Sequence, residues 1–238
     1  MARLLFLFAT LLTLAASPVY AQEAMRVVEW VEVRTPANLS AERDYAPDAI
    51  ASYGPFRVVG NDAAALVGPT DAASPRQFAA MLADWPALAT LELREAPGTH
   101  DDRANLEVGR MIRAAGLTTL VSATGSVRSG AVELFLAGAA RQVEDGATFA
   151  VHSWMDEDGN EAWQYPPDSP EHAKYLTYYR DMGFAADEAE AFYAMTNFVP
   201  HSEALWLDAA EMRAWIGQQP FAPTAAADTG PRIAYAAL

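Results

Sequence analysis

The chain contains no cysteine. Disulfides, thiolate nucleophiles and cysteine metal sites are thereby excluded, and the hydrophobic core must hold the fold unaided. Lysine is nearly missing as well: Lys174 is the only one, and arginine supplies the rest of the positive charge. Positive charge is scarce altogether, with 16 Lys and Arg against 31 Asp and Glu, a formal net charge of −15. A surface this acidic repels phosphate backbones and anionic lipid, so neither nucleic acid nor a membrane surface is an expected partner. The acid is spread along the chain rather than gathered in a tail, as on an ordinary solvated surface. Internal repeats are missing too, and so is a second long apolar run, so nothing beyond the N-terminus asks for a bilayer.

What is present begins with a targeting segment. Met1, Ala2 and Arg3 form a short positive start, residues 4–16 are almost wholly apolar, and Val19-Tyr20-Ala21 has the small-x-small form of a cleavage site before Gln22. The apolar stretch falls short of the ~20 residues a spanning helix needs. It predicts a signal peptide over 1–21 and a mature protein that works outside the cytoplasm, in a periplasm or secreted. Arg3 leaves with the signal, making the mature chain one unit more acidic.

Residues 22–45 read as an opening strand (Val27, Val28, Trp30, Val31, Val33) followed by a linker from Pro36. Short strands are predicted at 56–59 and 64–67. Ser74-Pro75 opens a helix that buries Phe78, Met81 and Leu82 and stops at Pro86. A strand at 88–93 follows. Asp101 and Asp102 then cap a helix that places Ala104, Val108, Met111, Ile112 and Ala115 on one face and ends at Gly116. Further on, the pattern predicts a strand at 117–121, a buried helix at 132–140 and a strand at 148–151. After a polar loop over 154–167, helices are expected from Ser169-Pro170, over 187–195 and over 207–216. This βα rhythm predicts an α/β domain with a largely parallel sheet and a helical C-terminal part. From residue 218 the chain is a Pro- and Ala-rich tail.

Three segments carry possible chemistry. Ala96-Pro97-Gly98-Thr99 lies between a strand and a helix, where glycine permits a tight turn and frees backbone N–H groups for an oxyanion. Ser129-Gly130 lies directly before a buried helix, and Val151-His152-Ser153-Trp154 closes an apolar strand. Each has a plainer reading: turn chemistry, a helix cap and a hydrogen-bonded structural histidine. Ser129 is not in a G-x-S-x-G elbow, because the glycine on its N-terminal side is missing. His100, Asp101 and Asp102 sit at a helix start, where aspartates normally cap, so no metal site is expected there.

Taken together, Ser129 to Gly138, Gly146-Ala147 and Val151 to Trp154 resemble the Clp-protease-like branch of the Clp/crotonase superfamily, and more closely exported proteins of that branch. Pro97, Gly98, Thr99, Asp101, Asp102 and Asn105 match their Pro-Gly-small-x-Asp-Asp-x-x-Asn segment. Pro170, Glu171, His172, Tyr178 and Tyr179 match a later signature. The likeness runs from about Ala64 to Ile216. It implies a Clp/crotonase-like spiral of ββα units over 46–217, no cofactor and no metal. It further implies Ser129 as nucleophile, His152 as base, and the N–H groups of Gly98 and Gly130 as the oxyanion hole. A carboxylate that orients the imidazole is wanted shortly before the final helix. Glu203 is the nearest, where relatives show aspartate; His201 or Ser202 are alternatives. Cysteines that usually flank the serine are replaced here by Val127 and Ala131. A serine/lysine pair would have to use Lys174, within a helix that reads as packing. The expected function is an exported serine-type hydrolase acting on peptides. The rival is a catalytically silent domain that binds a peptide or protein in the same groove. An acyl-coenzyme A enzyme is disfavoured by export. The resemblance implies rings or trimers, so a homo-oligomer is one expectation and a monomer the other.

Overall fold

The structure, a computed structural model, describes residues 27–29, 46 and 48–217. The predicted signal peptide 1–21, the predicted N-terminal strand and linker over 22–45 apart from residues 27–29, and the predicted tail from 218 lie outside the described residues.

Two sheets organise the chain. The first has the order β2 (Ala51–Tyr53), β3 (Phe56–Val58), β4 (Ala63–Leu66), β5 (Thr90–Leu93), β7 (Thr118–Val121), β9 (Ala140–Val143). The second has the order β1 (Val27–Glu29), β11 (Glu203–Asp208), β10 (Thr148–Val151), β8 (Ser126–Arg128), β6 (Glu95–Ala96). Strands β5, β7 and β9 pair in parallel in the first sheet, and β6, β8 and β10 in parallel in the second. Each turn of the chain thus gives one strand to each sheet and then a helix: β5-β6-α2 (Asp102–Ala114), β7-β8-α3 (Ala131–Leu136), and β9-β10 followed after a loop by α4 (Pro170–Asp181). This is the spiral of ββα units that the sequence implies. It is preceded by α1 (Ser74–Asp84) and completed by α5 (Ala186–Thr196), β11 and α6 (Ala209–Trp215). Among the described residues no helix is long and apolar enough to cross a membrane.

The elements follow from local sequence. Asp101 caps α2, its carboxylate accepting the Ala104 N–H at 2.9 Å, and Ala104, Val108 and Ile112 are buried on one face. Met111 of the same predicted face is only half-buried, and Ala115 is exposed. In α1, Phe78 and Met81 are buried, with Phe78 edge-on to Phe56 at 5.0 Å between ring centres. Helix α3 has only six residues, all buried. A helix that short has no stability of its own in water, so burial holds it.

The predicted helix at 132–140 therefore ends early. Gly138 packs its backbone against Thr119, and the Ala139 N–H turns to the Leu117 carbonyl at 2.8 Å. The chain then enters β9 beside β7. Likewise the predicted helix at 207–216 is a strand, β11, up to Asp208, which caps α6 through the Glu211 N–H. Its apolar residues pair with β10 and β1 on either side.

Helix α2 approaches α4 at Gly109, where a Cβ would overlap the Tyr178 phenol. That phenol donates to the Glu133 carbonyl of α3 at 2.7 Å, so one glycine lets three helices lock together. An alanine at a helical glycine normally stabilises by about 1 kcal/mol. Gly109→Ala is expected to destabilise by roughly 1–3 kcal/mol instead, through overpacking. Tyr178→Phe, which removes the overlapping oxygen, should recover part of that loss. Urea unfolding of the two single variants and the double variant checks this; a stabilised Gly109→Ala would contradict the packing described.

Candidate active site

The parallel pairing of β8 with β10 aligns Val127 with Phe149 and Arg128 with Ala150. It continues one residue beyond β8, where the Ser129 N–H donates to the Ala150 carbonyl at 2.8 Å. There the chain turns sharply. Ser129 has φ +49°, the single described non-glycine residue with positive φ. A side chain in this region costs about 1–3 kcal/mol and persists only where the surroundings impose it. The Ser129 carbonyl accepts the Val132 N–H at 2.9 Å, fixing the start of α3. One step past β10, on the neighbouring strand, comes His152. Ser129, Gly130 and His152 line one cleft of about 540 Å³, together with Thr99 and Asn105.

The Pro97-Gly98-Thr99 turn presses on the serine from the other side. Gly98 has φ +128°, and a Cβ there would meet the Ser129 Cβ at 3.0 Å. Only glycine allows both the conformation and the approach. The Gly98 carbonyl accepts the Thr70 N–H at 3.0 Å, and the Thr70 carbonyl accepts the His100 N–H at 2.8 Å. Asn105, fully buried in α2, donates to the Gly130 carbonyl at 2.6 Å and accepts from the Thr70 hydroxyl at 2.7 Å. The two loops beside Ser129 are therefore tied to each other. Among the described residues, neither the Gly98 N–H nor the Gly130 N–H donates to a protein acceptor. With six residues, α3 is too short for its dipole to add much to these donors.

The imidazoles are held by a backbone group. His152 Nδ1 lies 2.9 Å from the Ser153 carbonyl oxygen and His201 Nδ1 lies 3.0 Å from the same oxygen. A carbonyl only accepts, so in the neutral rings both Nδ1 atoms carry the proton and both Nε2 atoms keep their lone pairs. The rings meet edge to face at 4.4 Å between centres. Burial pushes the His152 pKa below its usual 6.5. The Ser153 carbonyl opposes this; His201 adds to it, and the charges of Asp102 and Glu161 oppose it.

Glu203 is not brought to the cleft. In the register Val151 with Leu205, the level of His152 falls at Ala204, and Glu203 lies one step further, on the opposite face of the sheet. Its place beside His152 is taken by His201, whose backbone N–H donates to the Glu161 carboxylate at 2.9 Å. Lys174 does reach the cleft, but its ammonium is engaged with Glu171 at 2.7 Å and lies over the Trp154 and Tyr175 rings. Asp101 is occupied in capping α2, and Asp102 accepts the Tyr175 hydroxyl at 2.6 Å. Among the described residues no group of three or more His, Asp or Glu side chains is placed to hold a metal ion.

Glu133, which the sequence leaves without an evident role, also lines the cleft. It is 7% exposed, and its carboxylate accepts the Tyr179 hydroxyl at 2.8 Å. Burial is the main reason its carboxyl is pushed up to about 7; the Tyr179 hydrogen bond works against the rise, and the nearby Asp102 charge adds to it.

No family model and no curated protein matches the chain. Solved structures similar to it include an asparagine-to-aspartate mutant of ClpP1 from Listeria monocytogenes, 16% identical, with TM-score 0.47 over 65% of this chain and 87% of that one. A serine-to-alanine mutant of the 1510-N membrane-bound stomatin-specific protease is 15% identical, with TM-score 0.44 over 64% of this chain and 74% of that one. A lysine-to-alanine mutant of the same protease, in complex with a substrate peptide, is 16% identical, with TM-score 0.44 over 64% and 70%. The fold assignment stands on the strand order, and these similarities assign no residue a role.

Glu133 has a measurable consequence. A carboxyl at about 7 in the folded protein and near its ordinary 4.5 when unfolded binds its proton more tightly in the native state. Stability is then lost as pH rises from 4.5 to 7, by at most roughly 3 kcal/mol. Glu133→Gln keeps an acceptor for Tyr179 and removes the charge. It should be the more stable protein at pH 8 and lose that advantage by pH 5. Thermal unfolding at the two pH values tests this; a pH-independent difference would contradict the burial assigned to Glu133.

Proposed function

We propose that the protein is a serine-type hydrolase acting on peptides, with Ser129 as nucleophile and His152 as general base. The observation that carries this reading is the meeting of three features in one cleft. They are a serine held at positive φ, a histidine whose Nδ1 is committed to a carbonyl, and the Gly130 N–H without a protein acceptor, with the Gly98 turn packed against the serine. His152 Nε2 takes the proton as Ser129 Oγ attacks the scissile carbonyl. The Gly98 and Gly130 N–H groups then receive the negative oxygen. The imidazolium returns the proton to the leaving amine, and water, activated by the same nitrogen, releases the acid from the serine ester.

No carboxylate orients His152 in this scheme. Removing the carboxylate of a Ser-His-Asp triad costs about 10⁴ in kcat, largely by presenting the wrong imidazole tautomer. The Ser153 carbonyl enforces the right tautomer without a charge, which supports a slow hydrolase rather than an inert one. The same missing charge also favours a second reading, a silent groove that binds a peptide. On either reading we place the mature chain outside the cytoplasm, after cleavage before Gln22.

Hydrolysis of a peptide and activated-ester library decides between them. Ser129→Ala is expected to lower kcat by about 10³-fold or more, and His152→Ala by a similar factor. Glu203→Gln should stay within a few-fold of wild type. Because burial depresses the His152 pKa, the neutral base predominates at pH 6.5, and the midpoint of the acid limb of kcat/KM lies below that value. Turnover that survives in Ser129→Ala overturns the serine assignment; specific peptide binding with no turnover in any form favours the silent groove.

A further inference from the structure

The Ser153 carbonyl carries two imidazoles that come from different parts of the chain. His152 follows β10, His201 lies between α5 and β11, and both line the cleft. The Ser153 N–H donates to the Val199 carbonyl at 2.9 Å, and the His201 N–H donates to the Glu161 carboxylate at 2.9 Å. The backbone that carries His201 is thereby fixed beside the end of β10.

A carbonyl oxygen has two lone pairs, so two neutral rings can both donate to it. Protonation of one ring makes its Nδ1–H a charge-assisted donor and strengthens its hold on the oxygen at the other ring's expense. A second proton then meets a weakened anchor and a like charge 4.4 Å away between ring centres. Repulsion at that distance separates two proton-binding steps by roughly one to two pH units. The charges around the pair do not cancel this coupling. His201 acts on His152 more strongly than either Asp102 of α2 or Glu161 of the loop after β10, which pull the other way. Further round the cleft, Lys174 of α4 is paired with Glu171, and Tyr193 of α5 is bonded to Trp154 and His172. Glu133 of α3 receives the Tyr179 hydroxyl, and Asp156 of the loop receives that of Tyr165.

We propose that His201 is a positioning residue for the base: sharing an anchor with His152, it lets the pair hold one proton at a time, and a charged His201 keeps His152 neutral. The proposal rests on the reading of His152 as general base and adds a second imidazole to it. Its effect is opposite to that of an orienting carboxylate, which stabilises the imidazolium. As pH falls, a proton on His201 defers the one on His152, and the base survives into mildly acid conditions.

The test reads the rings directly. Histidine side chains labelled with ¹⁵N are titrated by NMR from about pH 4 to about pH 8, each ring being assigned by its substitution to glutamine. In the wild-type protein the His152 and His201 signals are each expected to move in two steps, the mark of coupled sites. In His201→Gln an uncharged amide can still donate to the Ser153 carbonyl. There His152 should titrate in one step, with its midpoint raised by about one pH unit. The acid limb of kcat/KM should rise by the same amount. Single-step titration of both rings in the wild type, or a His152 midpoint that stays or falls in His201→Gln, overturns the proposal. So does an acid limb that stays in place while the His152 midpoint moves. Coupled titration without turnover in any form upholds the pair and sinks the hydrolase reading alone.

Discussion

The hydrogen bond from the Ser129 N–H to the Ala150 carbonyl governs the candidate site. It extends the parallel β8–β10 ladder one residue past the end of β8. That forces the reversal at Ser129 into positive φ and sets Ser129 and His152 on neighbouring strand ends. The other close contacts respond to this turn. Gly98 must be glycine to approach it, and Asn105 holds Gly130 just after it. Helix α3 begins from the Ser129 carbonyl. Strain at one residue is thus over-determined by a ladder, a glycine contact and a buried amide.

The second anchor is Ser153. It is 1% exposed, its N–H donates to the Val199 carbonyl at 2.9 Å, and its hydroxyl accepts the Ala162 N–H at 3.2 Å. A carbonyl fixed this firmly can orient two imidazoles at once. It does so with a dipole rather than a charge, so the neutral tautomer is selected while the imidazolium gains less than a carboxylate would give. Burial depresses the His152 pKa, and the hydrogen bond to this carbonyl offsets only part of that.

Much of the fold was legible in sequence because its parallel strands are short apolar runs separated by capped helices. The starts of α2 and α4 were marked by Asp101 and by Ser169-Pro170. Five strands were not read from the sequence: β2, β6 and β8 have only two or three residues each, and β9 and β11 were obscured in different ways. In β9, Ala140 to Val143 alternates exposed with inward residues and carries Arg141 and Gln142, so its apolar signal is weak. In β11, the run Ala204 to Leu207 is apolar enough for either a strand or a buried helix; two flanking strands decide it. Ser129, Gly130 and His152 were visible as residues, and the topology brings them to one cleft. The orienting group was not visible, because a backbone carbonyl has no sequence signature. Glu203 suggested itself by position along the chain, but strand parity puts it on the other face. Glu133 stood out as a charge in an apolar helix, yet its meaning required Tyr179, 46 residues away, to be seen against it.

The most direct test of a reactive Ser129–His152 pair is covalent. Protein from residue 22 onward is treated with a fluorophosphonate, and the adduct is mapped by mass spectrometry at a series of pH values. The account predicts one adduct, on Ser129, forming at a rate that climbs with pH with a midpoint below 6.5, since burial moves His152 below its usual value. An adduct on another residue, or a Ser129 labelling rate indifferent to His152→Ala, would contradict it.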